Sequence, residues 1–275
     1  MIRMRWVAFA ALAALLAGGA DAKETGHAAK LSAEQIVAKN VAARGGLEAW
    51  RKIETMEWVG HMESADPNTL GLRFVLEQKR PNKTRFEVAA LAQKTVRVFD
   101  GVHGWKVRPD RQGGVTAEPY SPQDLRFAQE AQGLDGPLID YQAKGIAVEL
   151  AGVEQLEGRK AYRLTVRLPS GDHHDIWIDA KTFLDIKYDR TSYSKSGAPG
   201  IVTVIYRHYK NVEGLQIPGV LEIGVGSGRV PDKMVIENIA LNPPLDDEVF
   251  AKPGSSRRHR MATSPPAPAT GSTSQ

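Results

Sequence analysis

Two adjacent histidines, His173 and His174, stand between Asp172 and Asp175 and just ahead of Trp177, in the stretch LTVRLPSGDHHDIWIDAKT (residues 164–182). Histidines and carboxylates at this density could hold a metal ion or perform acid–base catalysis. The element that carries them decides between these chemistries and none. Tyr162, Leu164, Val166 and Leu168 alternate with Arg163, Thr165 and Arg167, the period of a half-buried strand. Pro169 and Ser170 suit the two central positions of a type I turn, and Gly171 suits the left-handed position after it. This hairpin sets Leu168 opposite Asp172, Val166 opposite His174, Leu164 opposite Ile176 and Tyr162 opposite Ile178. Trp177 then falls beside Arg163, within stacking reach, and Arg167 faces His173. Successive residues of a strand point to opposite faces, so the two histidines cannot chelate one ion together. The pair reads as polar residues at the tip of a hairpin.

Other candidate chemistry is sparse. His61, His103 and His208 stand apart on separate strands or turns, with no motif around them. G-x-S-x-G, HExxH and P-loop patterns are absent from the sequence. GVGSGR (224–229) follows a strand of an antiparallel run with no helix after it, which reads as a turn rather than a phosphate cradle. The acids of PPLDDEVF (243–250) read as a solvated turn. The chain has no cysteine, which removes thiol nucleophiles, Cys-ligated zinc, disulfides and lipid attachment at a cysteine. The expected inventory is therefore no catalytic residue, no metal and no cofactor.

The N-terminus has a different character. Arg3 and Arg5 precede an apolar run from Trp6 to Leu16, and Ala20-Asp21-Ala22 offers small residues at the two positions a signal peptidase reads. Residues 1–22 are expected to be a signal peptide cleaved after Ala22, which makes the protein periplasmic. The net charge of +4 is local. Lys252, Arg257, Arg258 and Arg260 lie at the other end, and residues 23–250 carry a slight negative balance. The folded part therefore shows no excess of positive charge for nucleic acid. Residues 253–275 are basic and then rich in Pro, Ser and Thr, the composition of a disordered tail. Weak contact with an anionic membrane is the role expected of it, worth about 1 kcal/mol per basic residue near the surface.

The folded region is expected at residues 30–252, and hydrophobic residues, 42% of the chain, suffice for a core. Ser32 with Gln35 forms a capping-box pattern ahead of the stripe Ile36, Val37, Val41, and Gly45-Gly46 stops that helix. LEAWRKI follows as a second short helix. The period then changes to two. Met56, Trp58, Gly60 and Met62 fall on one face, Leu72, Phe74 and Leu76 repeat the pattern, and Phe86 and Val88 continue it after the RPNK turn. A helical island interrupts the strands, with Ser121 as cap, Pro122 in the first turn, and a second short helix around Leu138, Ile139 and Tyr141. Strands resume at Ile146. The class is α+β: one antiparallel sheet of about eleven strands with short helices gathered on one face.

AARGGLEAWRKIETMEWVGHM, VEGRKAYRLTVRLPSGDHHDIWIDAKTFLDIKYD and PPLDDEVFAKP together resemble the LolA/LolB-like family of periplasmic lipoprotein carriers and their outer membrane lipoprotein-sorting relatives. The resemblance implies a strongly curved sheet, an incomplete barrel with a helical lid, enclosing a hydrophobic cavity for acyl chains. It also implies a lid-latching arginine, for which Arg44, Arg51 and Arg73 are candidates. Lipid or lipoprotein acyl chains are the implied ligand, and a second envelope protein is an implied partner.

A dry groove is sufficient for such a carrier. A buried methylene is worth about 0.8 kcal/mol, so a sixteen-carbon chain offers roughly 12 kcal/mol before costs. Met56, Trp58, Met62, Phe74, Leu76, Phe86 and Val88 are the candidate cavity lining. The same residues could instead close into a core against the helices. The alternative function is a periplasmic hydrolase whose polar residues meet only in the fold.

Overall fold

The computed structural model describes residues 31–64, 71–90, 93–110, 114–131, 133–193, 199–226 and 231–252. The expected signal peptide and the expected tail lie outside the described residues. The fold opens with α1 (Ala33–Ala43), and the Ser32–Gln35 capping box is present in both directions. Ile36 and Val37 are buried, and Gly45 and Gly46 end the helix at φ +115° and +92°. The short α2 (Leu47–Arg51) follows.

Among the described residues, fifteen strands follow, with α3 and a 3-10 turn. They are β1 (Thr55–Glu63), β2 (Leu72–Lys79), β3 (Lys83–Ala90), β4 (Gln93–Phe99), β5 (Gly104–Pro109), β6 (Val115–Pro119), β7 (Ala147–Leu156), β8 (Arg159–Arg167), β9 (His173–Asp179), β10 (Asp185–Tyr193), β11 (Pro199–Arg207), β12 (Lys210–Val212), β13 (Leu215–Ile217), β14 (Val220–Val225) and β15 (Asp232–Leu241). Thirteen form one antiparallel, strongly curved, open sheet in the order β6-β5-β4-β3-β2-β1-β15-β14-β11-β10-β9-β8-β7, and β12 and β13 form a separate ribbon. The strand count thus exceeds the expected eleven. β6, β12 and β13 have five, three and three residues, too few for alternation to stand out. Chain order also explains the shape. The first six strands fan out from β1, the last group fans out from β15, and β1 and β15 join the two wings.

The helices occupy the inner face. α2, the turns around Leu134 and Ile139, and the β12–β13 ribbon cover one end of it, where Trp50, Ile53, Met56, Leu134, Ile139, Leu215 and Ile217 form a closed apolar cluster. The expected second helix around Leu138 is instead a run of turns. Leu138 and Ile139 are buried as a helix stripe would be, but Gly136, Asp140 and Gly145 all take positive φ and break the backbone. α3 (Pro122–Glu130) begins as expected, with Ser121 as N-cap and Pro122 in the first turn.

The outer face is closed differently. A ladder of Glu77, Arg85 and Glu87 runs across β2 and β3, with Arg85 2.7 Å from Glu77 and also paired to Glu87. PPLDDEVF is more than a solvated turn. Its 3-10 segment (Asp247–Phe250) buries Phe250 fully against Val96, Val98 and Val107. Asp247 is exposed and anchors this clasp through Lys79 and Lys83, each at 2.9 Å. Those two cations hold its carboxyl down at about 2.

Candidate functional site

The sheet register brings the predicted apolar residues together. Trp58 lies between Leu76 and Ile239, and Phe86 follows beyond Leu76. Gly60 lies between Phe74 and Ile236, with Val88 beyond Phe74. Met62 lies between Leu72 and Met234, with Leu221 beyond Met234. These rows make one inner-face patch. Phe74, Met234 and Ile236 are its buried floor, and Trp58, Met62, Leu76, Phe86 and Val88 pack on it while only partly buried. A β-bulge at Val59/Gly60 sets the patch. A Cβ at Gly60 would stand 1.9 Å from the Val235 carbonyl and 2.9 Å from the Phe74 ring, so glycine lets that ring lie against the strand. Met56 belongs to the neighbouring closed cluster, and Trp58 touches both. Trp58 Nε1 donates to Met56 Sδ at 2.9 Å.

Farther along the same face, a cavity of about 810 Å³ lies beneath α3. Phe86 is followed in register by Arg97 on β4 and Lys106 on β5, and these cations reach α3. Arg97 Nη2 and Lys106 Nζ approach the two Asp124 carboxylate oxygens at 2.9 and 2.6 Å. From the other wing Asp172 meets Arg126 of α3 at 2.7 Å, and Arg190 stacks on the Phe127 ring at 3.9 Å. α3 therefore spans the opening of the curved sheet as a strap, tied to each wing by polar contacts. None of its residues is buried. Desolvation would raise the Asp124 carboxyl, but bonds from Lys106, Ser121 and Arg97 outweigh it and hold the group below the usual carboxylate range.

The hairpin that drew attention in the sequence forms the wall of this cavity. Its register is the expected one: Tyr162 faces Ile178, Leu164 faces Ile176, Val166 faces His174, and Leu168 N–H donates to the Asp172 carbonyl at 2.8 Å. Gly171 takes φ +90°. The two histidines separate onto opposite faces, His173 exposed and His174 only 7% exposed. His174 is thus not a hydrophilic tip residue. It lines the cavity, with its Nδ1 2.7 Å from the Tyr188 hydroxyl. Burial, reinforced by Arg190, lowers its pKa to about 4, so the ring is neutral at pH 7. On the outer face Trp177 lies opposite Arg163 as expected, but its stacking partner is Lys187, at 4.1 Å. Glu154 accepts the Trp177 Nε1–H at 2.8 Å and forms an ion pair with Arg163, whose Nε lies 3.1 Å away.

Each candidate latch arginine takes a distinct place. Arg44, at the end of α1, lies over the Trp50 ring at 4.7 Å and reaches Asp185 of β10 at 3.7 Å. Asn40 Nδ2 donates to the Phe183 carbonyl at 2.8 Å beside it, so α1 is tied to the β9–β10 turn. Burial raises the Asp185 carboxyl, with Arg44 opposing. Arg51 grips Asp140 through two bonds of 2.9 Å and holds the turn segment on α2. Arg73 pairs with Glu237 at 3.0 Å and is largely exposed, away from the helices. His61 shares that Glu237 at 2.7 Å, while His103 and His208 are exposed. Among the described residues no group of three His, Asp or Glu side chains could hold a metal ion. Nor is any described helix long and apolar enough to cross a membrane.

The chain folds as an open antiparallel sheet, curved around a face that short helices partly cover. Neither a family model nor a curated protein matches the sequence. Solved structures do match. A DUF1329 family protein from Desulfovibrio piger aligns with TM-score 0.52 at 13% identity, over 80% of this chain and 97% of its own. A LolA superfamily protein from Nitrosomonas europaea gives 0.52 at 14%, over 81% and 99%. An outer membrane lipoprotein-sorting protein domain from Vibrio parahaemolyticus gives 0.51 at 12%, over 79% and 95%. At these identities the likeness is one of fold, and the fold is the one the sequence resemblance implied.

Proposed function

We propose that this chain is a periplasmic carrier or sensor that binds the acyl chains of a lipid or lipoprotein against the inner face of its sheet. One observation carries the reading: Trp58, Met62, Leu76, Phe86 and Val88 form a contiguous apolar patch that the helices leave partly exposed. A core residue normally gains by full burial, and an exposed patch of this kind on an inward-curving surface marks a binding site. Phe74, Met234 and Ile236 form its buried support, and Met56 lies in the closed cluster beside it. Met62 adds a side chain that adapts to chains of varied shape. Export rests on the signal-peptide pattern, and the solved lipoprotein-sorting domain of the same fold supports the class of cargo. A second envelope protein is the natural donor or acceptor for such cargo.

The hydrolase reading would place its chemistry in the cavity under α3, which holds a histidine beside carboxylates. There Asp124 is taken by Arg97 and Lys106, Asp172 and Glu130 by Arg126, and His174 by Tyr188. That arrangement orders charge around a space and suits binding better than proton transfer. Mass spectrometry of organic extracts from the exported protein separates the two. Co-purified acyl lipid in stoichiometric amount is the expected result. Lipid-free protein with an esterase activity that His174→Gln abolishes would overturn the carrier reading.

A further inference from the structure

Arg190 stands apart from the other cations that line the cavity beneath α3. Arg97 and Lys106 share Asp124, and Arg126 is taken by Asp172 and Glu130. Arg190 forms no ion pair among the described residues. Its only direct partner there is the Phe127 ring, 3.9 Å below the guanidinium. Stacking on an aromatic face uses the flat side of the group and leaves its edge N–H donors free in the plane. His174, directly opposite on β9, is neutral at pH 7 and supplies no counter-charge. Glu130 attracts Arg190 from a distance but is bonded to Arg126, so the partly buried guanidinium makes no direct bond to a carboxylate, and an anion in the cavity would supply one.

The position of Arg190 on the sheet suggests what the anion belongs to. Its neighbour across β11 is Val202, and one step inward the row Ile176, Tyr188, Val204, Ile223 runs across β9, β10, β11 and β14. Leu221, two residues from Ile223 on β14, already packs against the apolar patch. A polar, cationic chamber therefore adjoins an apolar floor that continues toward Met62 and Trp58. A space of about 810 Å³ is of the size that holds a small ligand.

We infer that the cavity beneath α3 receives the phosphate headgroup of an anionic acyl lipid, gripped by the free edge of Arg190, while the acyl chains lie on the adjoining apolar patch. The inference rests on the carrier reading and adds the charge class of its ligand. A planar guanidinium matches a phosphate through paired N–H···O bonds, which a neutral lipid of equal chain length cannot offer.

The test is displacement of an uncharged fluorescent acyl ester from the purified chain by dioleoyl phosphatidic acid, dioleoylglycerol or inorganic phosphate. Phosphatidic acid should displace the probe at a concentration at least about tenfold lower than dioleoylglycerol, as expected for a charge-assisted bond. Arg190→Gln should bring the two lipids to within about twofold by weakening phosphatidic acid alone, and Arg190→Lys should keep part of the preference because charge remains without the fork. Inorganic phosphate should be ineffective at the same concentrations. If it competes as well as the lipid, the site belongs to free phosphate and the inference falls. Equal displacement by both lipids in the wild type overturns it too, as does a preference that survives Arg190→Gln. Should that variant lose its thermal transition, the wild-type ratio and Arg190→Lys decide. Failure of the probe to bind the wild type would instead sink the carrier reading and this inference with it.

Discussion

The inner face is covered at two places by two different kinds of contact. Over Met56 the cover is dry: Trp50 of α2, Leu134, Ile139 and the β12–β13 ribbon close on the sheet with almost no exposed surface. Under α3 the cover is wet. The strap buries no residue and is held by Asp124, Arg126 and the stacked Phe127. Apolar burial is worth a few kcal/mol per large side chain, whereas a solvent-exposed ion pair such as Arg126–Asp172 contributes about 0–1 kcal/mol. The dry cover should therefore be part of what holds the fold, and the strap a part that opens at little cost.

Variants should break that contrast in order of size. Trp50→Ala, at a side chain 2% exposed, is expected to destabilise the fold by about 4 kcal/mol in denaturant unfolding. Asp135→Ala should cost about 3 kcal/mol by the same measurement, because Arg80 (2.7 Å) and Lys144 (2.6 Å) would lose the buried carboxylate that pairs them. A change below about 1 kcal/mol at both sites would mean that the dry end is not a structural anchor.

The next effect depends on pH. Burial depresses the His174 pKa from 6.5 to about 4 in the folded state. The unfolded chain therefore takes up the proton first as pH falls, and the folded state loses stability across that interval. The contribution is complete above pH 6.5 and disappears progressively down to about pH 4. His174→Gln should flatten this part of the curve of thermal midpoint against pH; an unchanged slope would contradict the buried, neutral assignment. Smallest of all is Phe127→Ala, at a ring 42% exposed: stability should move by less than about 0.5 kcal/mol. Hydrogen exchange should find the α3 amides less protected than those of α1, and equal protection would remove the distinction between strap and anchor.

The two ends also differ in how far the sequence reveals them. The apolar patch was legible because strands β1 to β3 are consecutive and each alternates, so Trp58, Leu76 and Phe86 fall into one row once the turns are fixed. The β8–β9 hairpin was legible for the same reason, down to the residue opposite His174. The cavity under α3 was not. Its lining comes from β4, β5, α3, β9 and β10, residues 97 to 192, which meet only because the open sheet curves its two wings toward one helix. His174 looked like a hydrophilic hairpin tip because alternation reports a side chain's face and says nothing of what lies over that face. The turns at 133–145 misled in the opposite sense. Leu138 and Ile139 have helix-like spacing, but positive φ at Gly136, Asp140 and Gly145 shapes a compact loop that buries them without a helix. The 3-10 clasp shows the same limit, since three acids mask the one phenylalanine that packs.

Binding of an acyl probe and thermal unfolding, measured together on Phe86→Glu and Phe74→Glu, test the central claim most directly. Phe86 is partly exposed in the patch and Phe74 is 1% exposed beneath it, with ring centroids 6.0 Å apart. A carboxylate beside an acyl chain is desolvated without a partner, so Phe86→Glu should weaken probe binding by about tenfold or more while the thermal transition remains. Phe74→Glu, buried in the floor, should lower or abolish the transition itself. Probe affinity unchanged in a folded Phe86→Glu, or a wild type that binds no acyl probe, would contradict the account.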